Sequence, residues 1–449
     1  MNKKNILLFV LIYITLASCS FDSKTGIWSG GKEEKERIAE LERQQKQVID
    51  VVKIYSSDNI FNSEISLNKN ITLTSPKKNS SWKTPSLNNQ NFIGNLYLQG
   101  INNLFLKKKV GKNKYFLSKV ASSPLVFNNY IFFSDTSGTI FKITQTGKIV
   151  WKKNIYKKIY KKIHKKLAFS IYKNIIYISD NIGFVYAVNI ENGEILWIKN
   201  YEVPFKSNIK LFKDKIYLIN QDNRIFCLKI SDGSKSWDIR SISSFIKSQG
   251  FLSLAVSKSG NLYVINTSGD LIKIDSKSGS INWSLNVSGS LLAHATDFFQ
   301  SSEIVLDNEN IFFSTNTSFY SYNTNSAALN WENDLSTNGT PVIDKNNIFI
   351  VTKNGFFVII NKNNGKILSS ENILKILKKK KKKTHIAGFV MASGKIYSVT
   401  ANGFLIVSSA TTGKVQSFKK IGDEMVSTPI ISDGKLYLLT KNSKILGYN

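Results

Sequence analysis

Short apolar runs recur through most of the chain, and each is made mainly of β-branched and aromatic residues. Turn-forming residues border them, as Asp433-Gly434 does before the last run. Runs of this length and composition predict β-strands, because such side chains pack well on a pleated surface. The runs lie at 130–133, 175–178, 215–218, 261–264, 311–313, 348–351, 395–399 and 435–438. Eight runs predict eight repeated units.

A second pattern follows most runs: a turn glycine with a tryptophan four residues later. Four pairs have both residues, namely Gly147 with Trp151, Gly193 with Trp197, Gly233 with Trp237, and Gly279 with Trp283. Three pairs have only one, since Trp331 follows Ala327, and Gly365 and Gly413 precede Ser369 and Ser417. These turns lie 38 to 48 residues apart, which suits four strands per unit. The sequence therefore predicts an all-β fold, an eight-bladed β-propeller of four-stranded blades.

The repeated residues have structural roles in this prediction. Each glycine is expected at positive φ in the turn before the outer strand, where a side chain would clash. Each tryptophan is expected to pack on the adjoining blade and to donate its indole N–H to a backbone carbonyl. Serine in place of tryptophan predicts looser contacts in the last blades.

The two ends of the repeat region predict how the ring closes. The last unit stops after residues 444–448 and has no fourth strand, whereas residues 80–83 carry Trp82 with no hairpin before it. We expect a strand around Trp82 to complete the last blade, because an open ring would expose sheet edges. The propeller is accordingly predicted over residues 76–449.

The N-terminus has the pattern of an export signal. A positively charged start precedes eleven apolar residues at 6–16, too few to span a bilayer as a stable helix. The following Leu16-Ala-Ser-Cys19 resembles the lipobox of bacterial lipoproteins. The resemblance implies a signal peptide over 1–18 and lipidation of Cys19, and Ser20 favours transport to the outer membrane.

Residues 19–75 are predicted to form a lipidated tether containing one short helix. Apolar residues at helical spacing among Glu, Lys, Arg and Gln predict that helix over 32–52, exposed to solvent and serving as a spacer.

The formal net charge is +30, from 61 Lys and Arg against 31 Asp and Glu. Two interpretations stay open: a general bias of composition towards Lys, Asn and Ile, or a selected basic surface. Two lysine-rich segments, 156–167 and 378–383, fall in loops between blades. Each is either a solvated loop or a contact with anionic lipid or an acidic partner. Nucleic acid is not expected as a partner of an exported protein.

Few residues suggest catalysis. His164, His294 and His385 lie in three separate loops, and no metal, nucleophile or phosphate-loop motif is present. Cys227 has no disulfide partner once Cys19 is lipidated, and its apolar neighbours predict a buried residue. We therefore predict a protein that is not an enzyme, with no cofactor and no metal.

The segment 183–197, Gly-x-Val-x-Ala-Val-Asn-x-x-x-Gly-x-x-x-Trp, resembles the repeat of pyrroloquinoline-quinone-like propellers. With the lipobox, the tether and eight units, the chain is similar to the BamB family of outer-membrane assembly lipoproteins. The resemblance implies a non-catalytic scaffold of the β-barrel assembly (BAM) complex on the periplasmic face of the outer membrane. BamA, other BAM subunits and unfolded outer-membrane proteins would be its partners.

The resemblance also implies partner-binding residues. Phe245, Ile246 and Lys247 match a family loop with two apolar anchors and a cation, and Asp297 matches an acidic position in a second loop. Two alternatives stay open. One is an envelope lipoprotein that binds polysaccharide or another envelope partner. The other is a quinone-dependent dehydrogenase, although its calcium-binding carboxylates and adjacent cysteines are not recognisable.

Overall fold

A computed structural model describes residues 32–51, 61–111, 123–240, 250–287, 299–337, 339–377, 384–422, 424–425 and 427–449. The described strands form eight antiparallel four-stranded sheets. The first strands of neighbouring sheets contact each other from the second sheet to the fifth and between the seventh and the eighth, so the first strands lie on the inner side of the ring. The predicted eight-bladed propeller is confirmed.

The strands of the first four blades run from the axis outward in chain order. Blade 1 contains β2 (Leu125–Phe127), β3 (Tyr130–Ser134), β4 (Thr139–Thr144) and β5 (Ile149–Asn154); blade 2, β6 (Leu167–Tyr172), β7 (Ile175–Asp180), β8 (Phe184–Asn189) and β9 (Ile195–Asn200); blade 3, β10 (Lys210–Phe212), β11 (Lys215–Ile219), β12 (Arg224–Lys229) and β13 (Lys235–Arg240); blade 4, β14 (Ser253–Val256), β15 (Asn261–Ile265), β16 (Asp270–Asp275) and β17 (Ile281–Asn286).

The other four blades follow the same plan, except that the outer strand of blade 8 comes from the N-terminal side. Blade 5 contains β18 (Val305–Leu306), β19 (Asn310–Ser314), β20 (Phe319–Asn323) and β21 (Leu329–Asn333); blade 6, β22 (Val342–Asp344), β23 (Asn347–Val351), β24 (Phe356–Asn361) and β25 (Ile367–Asn372); blade 7, β26 (Ile386–Ala392), β27 (Lys395–Thr400), β28 (Phe404–Ser409) and β29 (Val415–Lys420); blade 8, β30 (Ile430–Ser432), β31 (Lys435–Leu439), β32 (Lys444–Tyr448) and β1 (Leu104–Lys109).

The eight apolar runs of the sequence all form the second strand of a blade, which is buried on both faces. In β23 every residue is buried, whereas five of the six residues of β5 are exposed. The apolar core therefore lies between neighbouring blades. Cys227 is one of its members, fully buried between blades 3 and 4.

The ring is closed by an N-terminal strand, but not by the predicted one. β1 pairs with β32 from Leu104↔Tyr448 to Lys109↔Lys444 and becomes the outer strand of blade 8. Trp82 instead forms a bridge with Val126 at the inner edge of blade 1. The assignment of the closing strand to Trp82 was wrong, because the strand that pairs with β32 is β1, Leu-Phe-Leu-Lys-Lys-Lys, which completes the blade without a tryptophan.

The predicted helix is present as α1 (Lys32–Val51), and two short 3₁₀ helices, η1 (Lys158–Tyr160) and η2 (Ile373–Ile376), lie in loops. Ile38 and Leu41 of α1 are buried against the ring, so the prediction of a solvent-exposed helix was wrong. Within the described residues, no helix combines the length and hydropathy that crossing a membrane requires.

Candidate functional site

The residues proposed from the family resemblance fall outside the described part of the chain. Phe245, Ile246 and Lys247 lie between β13 of blade 3 and Gly250, and Asp297 lies shortly before Phe299. Cys19 and the lysine run 378–383 are also outside it. Their assignments stay predictions, and the site below is built from the residues that the structure describes.

The repeated glycine and tryptophan join each blade to the next. The six turn glycines have φ between +69° and +84°, and Ala327 takes the same conformation at +59°. A Cβ added to Gly233 would lie 2.5 Å from the Trp197 ring of the preceding blade. The indole N–H groups donate to backbone carbonyls of the next blade at 2.8–3.4 Å in Trp151, Trp197, Trp237, Trp283 and Trp331. These residues therefore join neighbouring blades of the ring.

The five tryptophans differ in how fully the next blade covers them. Trp197 and Trp331 are buried, whereas Trp151, Trp237 and Trp283 are half-buried. The indole of Trp237 donates to the carbonyl of Ser276 at 3.2 Å, and that of Trp283 donates to the carbonyl of Thr324 at 3.4 Å. Each of these two rings also packs on a buried tyrosine of its own blade, at centroid distances of 6.0 Å and 6.1 Å. The partly exposed rings are therefore held by the same contacts as the buried ones.

The blades without tryptophan use smaller side chains at the same position. A Cβ on Gly413 would lie 2.5 Å from Oγ of Ser369, so the predicted looser contact is absent there, because the short side chain lets the turn come closer. Ser417 is exposed, and the blade that follows it has no hairpin before its outer strand. On the far side of blade 8, Leu106 and Lys108 pack against Gly147 in place of a tryptophan.

Residues 82–99, here called the axial segment, run along the inner edges of the blades in chain order. The edge groups of the innermost strands would otherwise lack partners. The axial segment supplies hydrogen bonds to every blade. From blade 1 to blade 8 these connect Trp82 to Val126, Lys83 to Ile171, Asn89 to Leu211 and Val256, Gln90 to Leu306, Ile93 to Ile343, Leu96 to Met391, and Gln99 to Gly434.

The carboxylate of Glu303 lies in the central channel of the ring, beside the axial segment, and connects that segment to blades that are not neighbours. One carboxylate oxygen of Glu303, before β18 of blade 5, accepts a hydrogen bond from Asn208 of blade 3 at 2.5 Å. The other oxygen accepts from Thr340 of blade 6 at 3.1 Å and from Ser86 of the axial segment. These three donors hold the carboxylate in a hydrogen-bonded network that joins the axial segment to blades 3, 5 and 6.

Asn91 of the axial segment is completely buried beside this network. Its amide nitrogen donates to the carbonyls of Ile304 at 2.8 Å and Leu254 at 3.2 Å. Its amide oxygen accepts from the ammonium group of Lys210, which also donates to the carbonyl of Asn88 at 3.1 Å. Burial lowers the pKa of Lys210 to about 8, and the charge of Glu303 acts in the opposite direction.

The lysine-rich segment 156–167, here called the platform, is folded against α1 on the face that carries the connections between blades. Tyr160 and Ile163 are buried, and the Tyr160 hydroxyl donates to Glu34 of α1 at 2.6 Å. Arg37 of α1 donates to the backbone carbonyl of Ile182 at 2.5 Å. Burial raises the pKa of Glu34, but the hydrogen bonds from Arg37 and Tyr160 outweigh it and the net pKa is lowered. The platform is therefore ordered by its contacts with the helix and is not a solvated loop.

Asp180 fixes the ring side of the platform. One carboxylate oxygen accepts the backbone N–H groups of residues 182–184 at 2.8–2.9 Å, and the other accepts the Tyr156 hydroxyl at 2.6 Å. Burial raises the pKa of Asp180, and these hydrogen bonds oppose the rise. The hydrogen bonds account for both oxygens, so Asp180 has a structural role.

The described side chains do not include the carboxylate cluster that the calcium and quinone site of a dehydrogenase requires. Across the described ranges, no group of three His, Cys, Asp or Glu residues could hold a metal ion. Glu303, the acid at the channel centre, is already bound by three protein donors. Such a site needs several carboxylate or carbonyl oxygens that converge on the ion.

The axial segment and the platform were not identified from the sequence. The axial segment contains six asparagine and glutamine residues between 88 and 99, a composition that is typical of exposed loops and not of a buried segment. The sequence of the platform does indicate that it has an apolar side, because Tyr160 and Ile163 are three residues apart among lysines, a spacing that places both on the same side of a helical turn. No local pattern indicates where that side packs.

A family model described as outer membrane protein assembly factor BamB matches residues 136–371, more than half of the 449 residues. The outer membrane protein assembly factor BamB of Legionella pneumophila (strain Paris) is 24% identical over 186 residues, which are 38% of this chain and 47% of that protein. The match thus spans about half the length of this curated relative.

Solved structures share the fold. BamB from Moraxella catarrhalis has a TM-score of 0.61 at 12% identity, covering 77% of this chain and 100% of that one. Quinohemoprotein alcohol dehydrogenase ADHIIG from Pseudomonas putida HK5 has a TM-score of 0.60 at 9% identity, covering 83% and 80%. At these identities, both similarities show the fold alone.

Proposed function

Because the chain belongs to the outer membrane protein assembly factor BamB family, we propose that it is a non-catalytic scaffold of the β-barrel assembly machinery. It binds BamA and assists the folding and insertion of outer-membrane proteins. The observation that carries this proposal is the family match over residues 136–371. It works at the periplasmic face of the outer membrane, held there by a lipid on Cys19 after removal of residues 1–18.

The chemistry of the channel supports a scaffold over a dehydrogenase. The inner edges of all eight blades bind the axial segment, and the central carboxylate of Glu303 is engaged by protein donors. The surfaces left for partners are therefore the loops and the outer rim. Loops on a rigid ring are suited to binding, since the ring holds them in place.

The docking of α1 supports a defined orientation of the ring at the membrane. Lys32, the first residue of α1, lies thirteen positions after Cys19. A chain of that length reaches at most about 45 Å. Since α1 packs on the face with the interblade connections, the tether joins the ring on that face, and Lys32 stays within this distance of the proposed lipid anchor.

Phe245, Ile246 and Lys247 are the proposed contacts with BamA, and Asp297 is a second, weaker candidate. Apolar side chains on a loop can act as the anchors of an interface, and a cation adds specificity. In the sequence, Phe245 to Lys247 follow β13 of blade 3, which ends at Arg240, and Asp297 follows β17 of blade 4, which ends at Asn286.

The test is affinity capture from a detergent-solubilised envelope with the full, lipidated chain. We expect recovery of BamA with the wild type and at least a tenfold loss when Phe245→Ala is combined with Ile246→Ala. The matched control combines Ile149→Ala with Val150→Ala, which removes two exposed apolar side chains from the outer rim of blade 1. Equal recovery in all three proteins contradicts the contact assignment. Recovery of polysaccharide or another envelope protein without BamA supports the alternative function.

A further inference from the structure

The platform presents lysines in an ordered arrangement. Within residues 156–167, Lys157, Lys158, Lys161 and Lys162 are exposed, whereas Tyr160 and Ile163 between them are buried. Backbone hydrogen bonds hold these turns, including Tyr160 N–H to the Lys157 carbonyl at 3.1 Å and Lys161 N–H to the Lys158 carbonyl at 3.0 Å. The apolar residues thus fix the loop, and the four ammonium groups lie on its outer side.

The four lysines have no acidic partner among the residues that the structure describes. Some lysines elsewhere in the described chain do pair with acids, as Lys142 does with Glu191 at 2.8 Å and Lys362 with Asp307 at 2.7 Å. Glu34, the acid of α1 that contacts the platform, is occupied by Arg37 and Tyr160. The four ammonium groups on the outer side of the platform therefore form a concentrated positive surface without ion pairs among the described residues.

The position of the platform beside α1 places it within reach of a membrane that holds the proposed lipid anchor. The platform contacts α1, and α1 is the element from which the chain leads back to Cys19 within about 45 Å. A charged surface beside a lipid anchor is attracted to anionic headgroups, and each lysine strengthens the partition into the membrane by a factor of about five. One lipid anchor and a basic patch together bind a membrane far more firmly than either alone.

We propose that Lys157, Lys158, Lys161 and Lys162 form a docking surface for anionic phospholipid headgroups. The surface lays the interblade face of the ring against the membrane. This proposal rests on the lipid anchor of the proposed function, but not on the binding of BamA.

The experiment measures partition of the full, lipidated chain between buffer and vesicles of two compositions, phosphatidylcholine alone and phosphatidylcholine with phosphatidylglycerol. The acyl anchor contributes equally to both, so the ratio of the two partition coefficients isolates the charge effect. We expect a large ratio for the wild type, which falls as salt rises from about 0.05 M to about 0.5 M. Replacing all four lysines with glutamine should lower the ratio by up to about 600-fold, the product of four single factors of about five.

The matched control changes four exposed lysines on the opposite face, in or beside the turns that precede the outer strands. They are Lys148, Lys229, Lys277 and Lys366. The proposal predicts a change of less than about threefold in this control, because these lysines point away from the anchored face. An equal fall in both variants would assign the effect to net charge and overturn the docking surface, as would an unchanged ratio in the platform variant. A platform that binds poly-glutamate but not anionic vesicles indicates an acidic protein partner and also overturns it.

A failure of the lipid anchor gives a different result. Binding to phosphatidylcholine vesicles would then be lost in every variant, whereas loss of the docking surface affects only the ratio.

Discussion

Replacing Asn91 with glycine removes the buried amide that joins the axial segment to blades 3, 4 and 5. Two hydrogen bonds from the amide to the carbonyls of Leu254 and Ile304 are lost, at about 1 kcal/mol each. The bond from the Lys210 ammonium is also lost, and bonds to charged groups contribute about 1.5–3 kcal/mol. We expect the free energy of unfolding to fall by about 4 kcal/mol.

Glycine is the informative substitution because Asn91 has a φ of +56°. Alanine at this position adds backbone strain, so Asn91→Ala should cost about 1 kcal/mol more than Asn91→Gly. Asn129 offers a matched control, since it is exposed and has a φ of +64°. Asn129→Gly should change the free energy of unfolding by less than about 0.5 kcal/mol.

A double-mutant cycle with Lys210→Met separates the ammonium contact from the two amide bonds. Without the ammonium group, Asn91→Gly should cost only about 2 kcal/mol, which gives a coupling energy of about 2 kcal/mol. The assay is urea denaturation followed by tryptophan fluorescence, together with hydrogen exchange of peptides from residues 82–99. A cost below about 1 kcal/mol, or an equal cost in both backgrounds, would refute this account of the axial segment.

Three further predictions concern pH, the blade contacts and the platform. Burial lowers the pKa of Lys210 from 10.5 to about 8, so the unfolded chain binds more protons than the folded chain between these pH values. The free energy of unfolding of the wild type should therefore rise from about pH 8 to about pH 10. This rise should be smaller in Lys210→Met, as measured by urea denaturation at each pH. Gly233→Ala should lower the free energy of unfolding by about 2–4 kcal/mol in the same assay, because its φ is +69° and the new Cβ meets the Trp197 ring; a loss under about 1 kcal/mol contradicts the contact. Tyr160→Phe should speed hydrogen exchange in α1 at least fivefold, because Glu34 loses a charge-assisted hydrogen bond, and unchanged exchange would contradict the docking of α1.

The ring could be predicted because its signals are local. A turn glycine and a tryptophan recur within most blades, and each second strand is an apolar run bounded by turn residues. Blade number and strand order follow from counting these units. Trp151, Trp197, Trp237 and Trp283 all donate to the blade that follows, because the geometry that requires them is repeated.

The closure of the ring by β1 and the position of the axial segment both depend on contacts between distant parts of the chain. Amino-acid composition does not indicate such contacts. Trp82 matched the repeat by residue type, yet its indole donates to the carbonyl of Pro85 within the axial segment. β1, which does complete blade 8, carries three successive lysines and gives no signal of a blade position. The buried partners of Asn91 lie in three different blades, so no local pattern could have identified them.

The proposed docking platform was recognised only as a charged segment. Its lysines were visible, but the burial of Tyr160 depends on Phe184 and Tyr156, whose rings pack against it at 5.6 Å and 6.2 Å. Those contacts bring together residues from the loop and from blade 2. The sequence therefore predicted the positive charge of this surface, whereas the conformation of the loop that presents the lysines could be seen only in the folded structure.

The position of the axial segment and β1 at the N-terminal end of the ring has a kinetic consequence. Both are synthesised before any blade, but their partners extend to blade 8, where β1 pairs with β32 near the last residue of the chain. Contacts between such distant residues slow folding, since the loop between them must be closed first. The axial segment can bind the first blades as they form, whereas β1 has no partner strand until β32 of blade 8 has been synthesised. Closure of the ring is therefore a late event, and a chain truncated before β32 would leave β1 without the strand that it pairs with.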